Sequence, residues 1–409
     1  MNKCPVERLM SIKNFTHGAP YNRIGEMRRA EPVCWEENRV TPQGGHWNVF
    51  GKQYIDEVMK HPEVFSNSFG PHIGELPAEL SVEAMPALNL LDPPQHSKQR
   101  TVVDHAFKPS VINAREQQIR DIAKDIIDGV IDKGRCEFVN EVAALLPMRV
   151  ICSILGVPEA DQARVVELTN TVMLAEDPKF SKGREAGFKA QLSLIEYGES
   201  LAADHRVNPR ETLTMETIQG HEDKTGLSDR DYGLLFLNLI EGGLETTRNS
   251  TAFGLYELIK NPDQYELLQR EPQLIPDAVE EILRYQGPTI YYTRTAVADY
   301  QLADKNITKG EKVVCWLVSA NRDEQVFADP DRFDIQRCQR ESVRKHYRTF
   351  GVGRHFCIGV HLARMQLKVM FEEIVQRMDK PQLISEPEHC HSIFVDGFNE
   401  MHIKFEVRQ

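Results

Sequence analysis

Cys357 closes a glycine-punctuated run, Phe350-Gly351-Val352-Gly353-Arg354-His355-Phe356-Cys357-Ile358-Gly359, and directly precedes a stretch of helical pattern, Val360 to Leu367. A cysteine at a loop-to-helix junction faces backbone N–H groups and the positive end of the helix dipole, which lowers the thiol pKa and suits a thiolate to hold a metal. The glycines let the backbone lie flat against a large planar partner. A cysteine without such a frame reads as a buried thiol. A hydrolase pairing Cys357 with His355 or His361 is a second chemistry that these residues allow.

A second constellation lies in Ser228 to Lys260, which reads as one long helix. Ser228 and Asp231 have the spacing of a capping box, and Leu234, Leu235, Phe236, Leu237, Leu239 and Ile240 form an apolar body. Gly242 and Gly243 then cost on the order of 1 kcal/mol each relative to alanine. Glu245-Thr246-Thr247 places polar groups where the pattern predicts burial. A kink followed by solvated residues explains this as well as a functional site does. Glu281 and Arg284 share a helix face, and alone they read as a surface pair contributing roughly 0.2–0.5 kcal/mol. His96, Arg100 and Arg294, each taken singly, read as ordinary surface groups.

Taken together, these segments resemble the cytochrome P-450 family from Asp92 to Gly359. Residues 350–359 match its haem-binding loop, Phe-Gly-x-Gly-x-His-x-Cys-x-Gly, at every fixed position, and Gly242 to Thr247 is similar to its oxygen-binding helix. The resemblance implies a haem-thiolate monooxygenase that hydroxylates C–H bonds with O2. It implies haem b (iron protoporphyrin IX) with Cys357 as the axial ligand and Phe350, Gly351, Gly243 and Gly359 beside the ring. His96, Arg100, Arg294 and His355 would grip the propionates. Thr246 would hydrogen-bond the oxygen and Glu245 would relay protons, while Glu281, Arg284 and Arg337 would form a structural network. Substrate contacts are expected from the 66–90 loop, the helix face before Gly242, Thr289, Ile290, Tyr291 and Tyr292, and the turn at Phe394 and Val395. These are mostly apolar or aromatic, which suits a hydrophobic small molecule, and the likeness to bacterial hydroxylases suggests a terpenoid or steroid. One stretch departs from the family: Arg344 to Thr349 lacks the Pro-Asn-Pro-His-like run common in bacterial members. A peroxide-using peroxygenase and a non-enzymatic haem sensor are the related alternatives.

The elements expected to position these groups are mostly helical. Ile119, Ile122, Ala123, Ile126 and Ile127 form a 3.6-period stripe, as do Val142, Leu145, Leu146 and Val150. Strand patterns occur at 46–50, at 311–317 and at 401–407. The expected fold is mainly α with a small β-rich lobe, the family's helical triangular prism. It is expected as a single domain over 1–409, with β-rich parts near 40–55, 289–320 and 380–409 and an α-rich core about 92–285 and 357–380.

The 409 residues carry a net charge of −12, with 27% charged and 41% hydrophobic residues, which argues against non-specific nucleic-acid binding. The eight cysteines are scattered, with the closest pair, Cys136 and Cys152, sixteen positions apart, so no zinc or iron–sulfur spacing exists and a reducing cytoplasm fits best. Met1 to Arg8 lack the apolar core of a signal peptide or membrane anchor. A cytoplasmic monomer is expected. Electrons are expected from a separate ferredoxin and its reductase. Within the otherwise acidic chain, segment 337–354 holds Arg337, Arg340, Arg344, Lys345, Arg348 and Arg354 against one acid, Glu341. It reads as a solvated basic loop or, beside the thiolate, as a ferredoxin-docking face.

Overall fold

A computed structural model describes residues 9–74, 78–173, 183–220 and 226–408. Met1 to Arg8, and residues 75–77 of the 66–90 loop, lie outside the described residues. The helices that frame the interior are α1 (Gln95–Asp104), α2 (Glu116–Ile131), α3 (Leu145–Leu155), α4 (Arg184–Val207), α5 (Asp229–Lys260), α6 (Ile275–Tyr285) and α7 (Val360–Arg377). The 119–127 stripe faces the core of α2, with Ile119, Ala123, Ile126 and Ile127 buried. The 142–150 stripe divides between a π-helical turn, Val139–Ala143, and α3.

Helix α5 is the axis of the α-rich part. Its N-terminus is capped by Ser228, whose hydroxyl oxygen accepts from the Asp231 N–H at 3.1 Å. It runs unbroken through Gly242 and Gly243 and is buried from Tyr232 to Leu258 along most of its circumference. A helix this enclosed draws its stability from packing on several sides, and α3, α4, α6 and α7 supply it. The helix therefore absorbs the cost of the glycine pair without a break.

The β-rich lobe is a mixed sheet of β1 (Val33–Glu37), β2 (Gly45–Val49), β3 (Phe65–Ser66), β4 (Tyr291–Ala296) and β5 (Lys312–Trp316), in the order β1-β2-β5-β4-β3. Strands β2 and β5 pair parallel, and the other neighbours pair antiparallel. Trp316 anchors its core, stacked 5.7 Å from Phe50 and 6.4 Å from Phe15, with its indole N–H donated to Asn48 Oδ1 at 2.8 Å. A second sheet pairs His402–Val407 with Arg135–Glu137 and Met378–Leu383. Cys34 in β1 is disulfide-bonded, where the scattered cysteines suggested a fully reduced chain. Among the described residues no single helix is long and apolar enough to cross a membrane.

Glu281 and Arg284 do not form a surface pair. Both side chains are fully buried, and the Arg284 guanidinium clasps the Glu281 carboxylate at 2.7 and 2.8 Å. Arg337 joins Glu281 at 3.2 Å. Most of the other N–H groups go to backbone carbonyls: Arg284 bonds those of Asn321, Pro330 and Arg332, and Arg337 bonds those of Asp329 and Arg332 while also reaching the Glu341 carboxylate at 3.3 Å. One carboxylate thus fixes the loop that leads towards Cys357. Glu281→Ala leaves the buried Arg284 guanidinium without a carboxylate and Arg337 with Glu341 alone, and is expected to cost about 3–5 kcal/mol. Urea unfolding of the holoprotein measures this, and a loss below about 1 kcal/mol would show that the carbonyls alone hold the loop.

Candidate active site

A cavity of about 1370 Å³ opens between α5, the 350–359 loop and β4. Cys357 reaches its wall from the N-terminal approach to α7. The Cys357 N–H closes the loop on the Phe350 carbonyl at 3.0 Å, and the Gly359 N–H bonds the sulfur. Gly353 sits at φ +81°, and a Cβ there would lie 2.5 Å from the Met59 carbonyl oxygen. Only glycine fits that approach. Burial raises the thiol pKa, against the lowering effects of the Gly359 N–H, Arg100 and Arg364. This corrects the lowering expected from the helix dipole, because desolvation outweighs it. A half-buried thiol whose pKa is raised is a poor hydrolytic nucleophile.

His96 and His355 meet with ring centroids 4.0 Å apart. The His96 Nδ1 and His355 Nε2 atoms are buried with no hydrogen-bond partner. Burial, Arg294, His96 and Arg100 push His355 down to about 2, and burial followed by Arg100 lowers His96. Arg294 is buried, donates to the Thr293 carbonyl at 2.7 Å and has no carboxylate partner among the described residues. Arg100 bonds the Phe356 carbonyl at 2.9 Å and Asp104 at 2.5 Å. Asp92 is already engaged by the Ser66 hydroxyl and the Asn67 N–H. Arg294, His96 and His355 therefore converge on the cavity without a carboxylate partner among the described residues, beside Arg100, which pairs with Asp104. A porphyrin bearing two carboxylates fits that deficit.

Along α5 the cavity wall includes Gly242, Gly243, Thr246 and Thr247. A Cβ at Gly242 would meet nothing within 4 Å, whereas one at Gly243 would meet Ile151 at 3.5 Å. Thr246 is half-buried and donates its hydroxyl to the Gly242 carbonyl at 2.6 Å. Glu245 is not on that wall. Its buried carboxylate accepts from Arg248 in a close ion pair and from Asn249 at 3.2 Å. The structure thus separates the two residues expected to act together.

The expected substrate contacts divide similarly. The Ile290 N–H bonds the Phe394 carbonyl at 2.9 Å and Thr289 bridges Val395, which brings the two segments together at the cavity. Thr289, Tyr291, Phe394 and Val395 line it, as do Met85, Leu88 and Leu90 of the 66–90 loop. Ile290 does not: it is buried with Phe15, Trp316 and Val318 in the core of the β lobe. Tyr291 shares that core, packed against Trp316, while also bordering the cavity. Tyr292 lines the cavity, as expected. Glu241 also lines it and had a readable signal, a lone acid closing a mostly apolar helical run.

Comparison with known proteins agrees with this geometry. A family description, Cytochrome P450, matches residues 189–382. The chain is 32% identical to the steroid C26-monooxygenase of Mycolicibacterium smegmatis over 94% of this chain and 90% of that one. The chain belongs to the cytochrome P450 family. It is similarly 32% identical to the linalool 8-monooxygenase of Pseudomonas putida, over 95% of this P450 and 96% of that one. Its fold matches a Mycobacterium marinum cytochrome P450 solved in complex with pseudoionone at a TM-score of 0.89, with 32% identity and 99% of each chain covered. The protein is a P450 monooxygenase, and its family works through a haem-thiolate group.

The basic segment of this P450 is largely consumed internally. Arg337 serves Glu281, Arg340 pairs with Asp334, Arg344 reaches Glu280 at 3.0 Å and buried Arg348 bonds Asp56 at 2.7 Å. Lys345 and Arg354 are exposed and without an acid partner among the described residues. At Gly242, the open space around the missing Cβ gives a clean expectation. Gly242→Ala should stabilise the holoprotein by up to about 1 kcal/mol through helix propensity while narrowing the cavity. Chemical unfolding checks it, and destabilisation would show that the space beside Gly242 is not open.

Proposed function

We propose that this P450 hydroxylates a hydrophobic small molecule of terpenoid or steroid type, using haem b bound through Cys357 and electrons from a separate ferredoxin. The observation that carries the reading is the meeting of Cys357 with the unpartnered nitrogens of His96 and His355 on one cavity. The relatives named for steroid and linalool oxidation, and the neighbour solved with pseudoionone, support the substrate class.

When bound, the haem supplies oxygen activation and one-electron chemistry. The chain supplies the rest. Cys357 would hold the haem iron through sulfur, and His96, Arg100, Arg294 and His355 would bind the propionates and orient the ring. Phe350, Gly351, Gly243 and Gly359 shape its bed. The open face at Gly242 leaves room for O2. The Thr246 hydroxyl, now donated to the Gly242 carbonyl, holds a proton beside that room and can turn to offer it to the reacting oxygen. Glu245 stores a negative charge one residue away, and it joins a proton path when Arg248 releases it. Thr289, Tyr291, Tyr292, Phe394 and Val395 exclude water and orient an apolar substrate.

The ligand assignment is checked by spectrum. Reduced protein with carbon monoxide should show the strongly red-shifted Soret band of thiolate ligation, and Cys357→His should lose it; a band that survives the substitution removes Cys357 from this role. In the same assay Thr246→Ala should keep the band and substrate binding but divert reductant into hydrogen peroxide.

Electron delivery is proposed to use the face around the cysteine loop, where Lys345 and Arg354 are uncompensated and Phe356 is 39% exposed on a chain of net charge −12. Exposed charges are screened over about 8 Å near physiological salt. First-electron transfer from an acidic ferredoxin should therefore slow as salt rises. Reversing Lys345 and Arg354 together to Glu should slow it at low salt without changing haem content. An unchanged rate and salt dependence would place the docking face elsewhere.

A further inference from the structure

Glu241 is the one acid of α5 on the cavity wall, and it has no counterpart in the chemistry derived so far. It directly precedes Gly242, whose carbonyl accepts the Thr246 hydroxyl, so it borders the space beside the reacting position. Its Oε1 atom is buried and has no hydrogen-bond partner. No basic side chain pairs with it among the described residues, and its polar support is the Gln191 side chain from α4. Asn238, one turn earlier, is already engaged, accepting from the Asn89 N–H at 3.1 Å. Around these groups the wall is apolar, with Phe188, Leu235 and Leu239.

A buried acceptor left without a donor costs about 1–3 kcal/mol. In a cavity for apolar molecules, a ligand that brings the donor offsets that cost. A ligand ammonium would also donate, but it pairs only with the ionised carboxyl and loses its own hydration in an apolar chamber. A hydroxyl both donates and accepts, so it pairs with the acid in either protonation state. Burial pushes Glu241 up to about 7, so both states are populated at neutral pH and the hydroxyl is the better match.

We propose that Glu241 is a specificity-determining residue that accepts a hydrogen bond from a hydroxyl group on an otherwise apolar substrate, fixing which carbon faces the space beside Thr246. This rests on the terpenoid or steroid reading above and narrows it to molecules that already carry an alcohol.

The test uses the haem-loaded protein and matched pairs of probes, each an alcohol and its methyl ether: linalool, geraniol and a 3-hydroxysteroid. Affinities are read by the iron spin-state shift and independently by calorimetry. At least one alcohol should bind the wild type tenfold or more tightly than its ether, as a hydrogen bond to a charged acceptor predicts. In Glu241→Leu that ratio should fall to about one while the ether keeps its affinity. Glu241→Gln retains an acceptor oxygen and should keep part of the preference. If Glu241→Leu loses haem, Glu241→Met is measured instead. Equal binding of both members of every pair by the wild type, or an alcohol preference that survives in Glu241→Leu, overturns the inference and leaves the hydroxylase reading intact. Failure of every alcohol and ether to bind overturns the terpenoid or steroid reading, and this inference with it.

Discussion

Arg294 and His96 are buried, and His355 half-buried, around a single cavity, and none of the three has a carboxylate partner among the described residues. Burial lowers the pKa of both imidazoles, which favours their neutral forms. A guanidinium has no such escape, because it does not deprotonate in proteins. Arg294 must instead be held in position by its surroundings, and β4 does this by pairing with β5 at Arg294 and Val313. The sheet, α5 and the cysteine loop keep apart walls that hydrophobic collapse alone would bring together. An anionic group filling the gap binds the folded chain and not the unfolded one, so it stabilises the fold by mass action.

Helix α5 carries two glutamates four residues apart that meet opposite fates. Glu245 is buried with Arg248 three positions on, so its charge is cancelled inside the protein. Glu241 has no cation partner among the described residues and faces the chamber. The first is electrostatically quiet, and the second is the polar mark on an apolar wall. Burial alone does not separate them; what does is whether the same helix supplies a guanidinium on the face where the acid sits.

The parts legible in the sequence were those governed by local backbone constraints. The cysteine loop could be read because its glycines serve positive φ and close approach, demands that residue type reveals. The long helix was readable from its cap and its apolar body. Glu281 and Arg284 were not legible from spacing, since an i,i+3 pair looks the same on a surface as in a core; the family resemblance supplied that network. Ile290 was not legible as a core residue, because only long-range packing against Phe15, Trp316 and Val318 takes it out of an otherwise lining segment. The pairing of Arg348 with Asp56 spans 292 positions, and no local pattern could announce it. The basic segment therefore looked more exposed than it is.

That long-range pair has a mechanical side. Arg348 ties the approach to the cysteine loop to the helix Lys52–Lys60, and the Gly353 backbone presses against the Met59 carbonyl on the same helix. The sulfur-bearing loop and a helix of the β-rich lobe are thus fastened to each other at two points. A cassette exchange that imported a relative's cysteine loop without its matching helix would bring in an unpaired Arg or a displaced backbone. The unit of inheritance at this centre is accordingly a loop and a helix nearly three hundred residues apart, and drift in one is tolerated only as far as the other can follow.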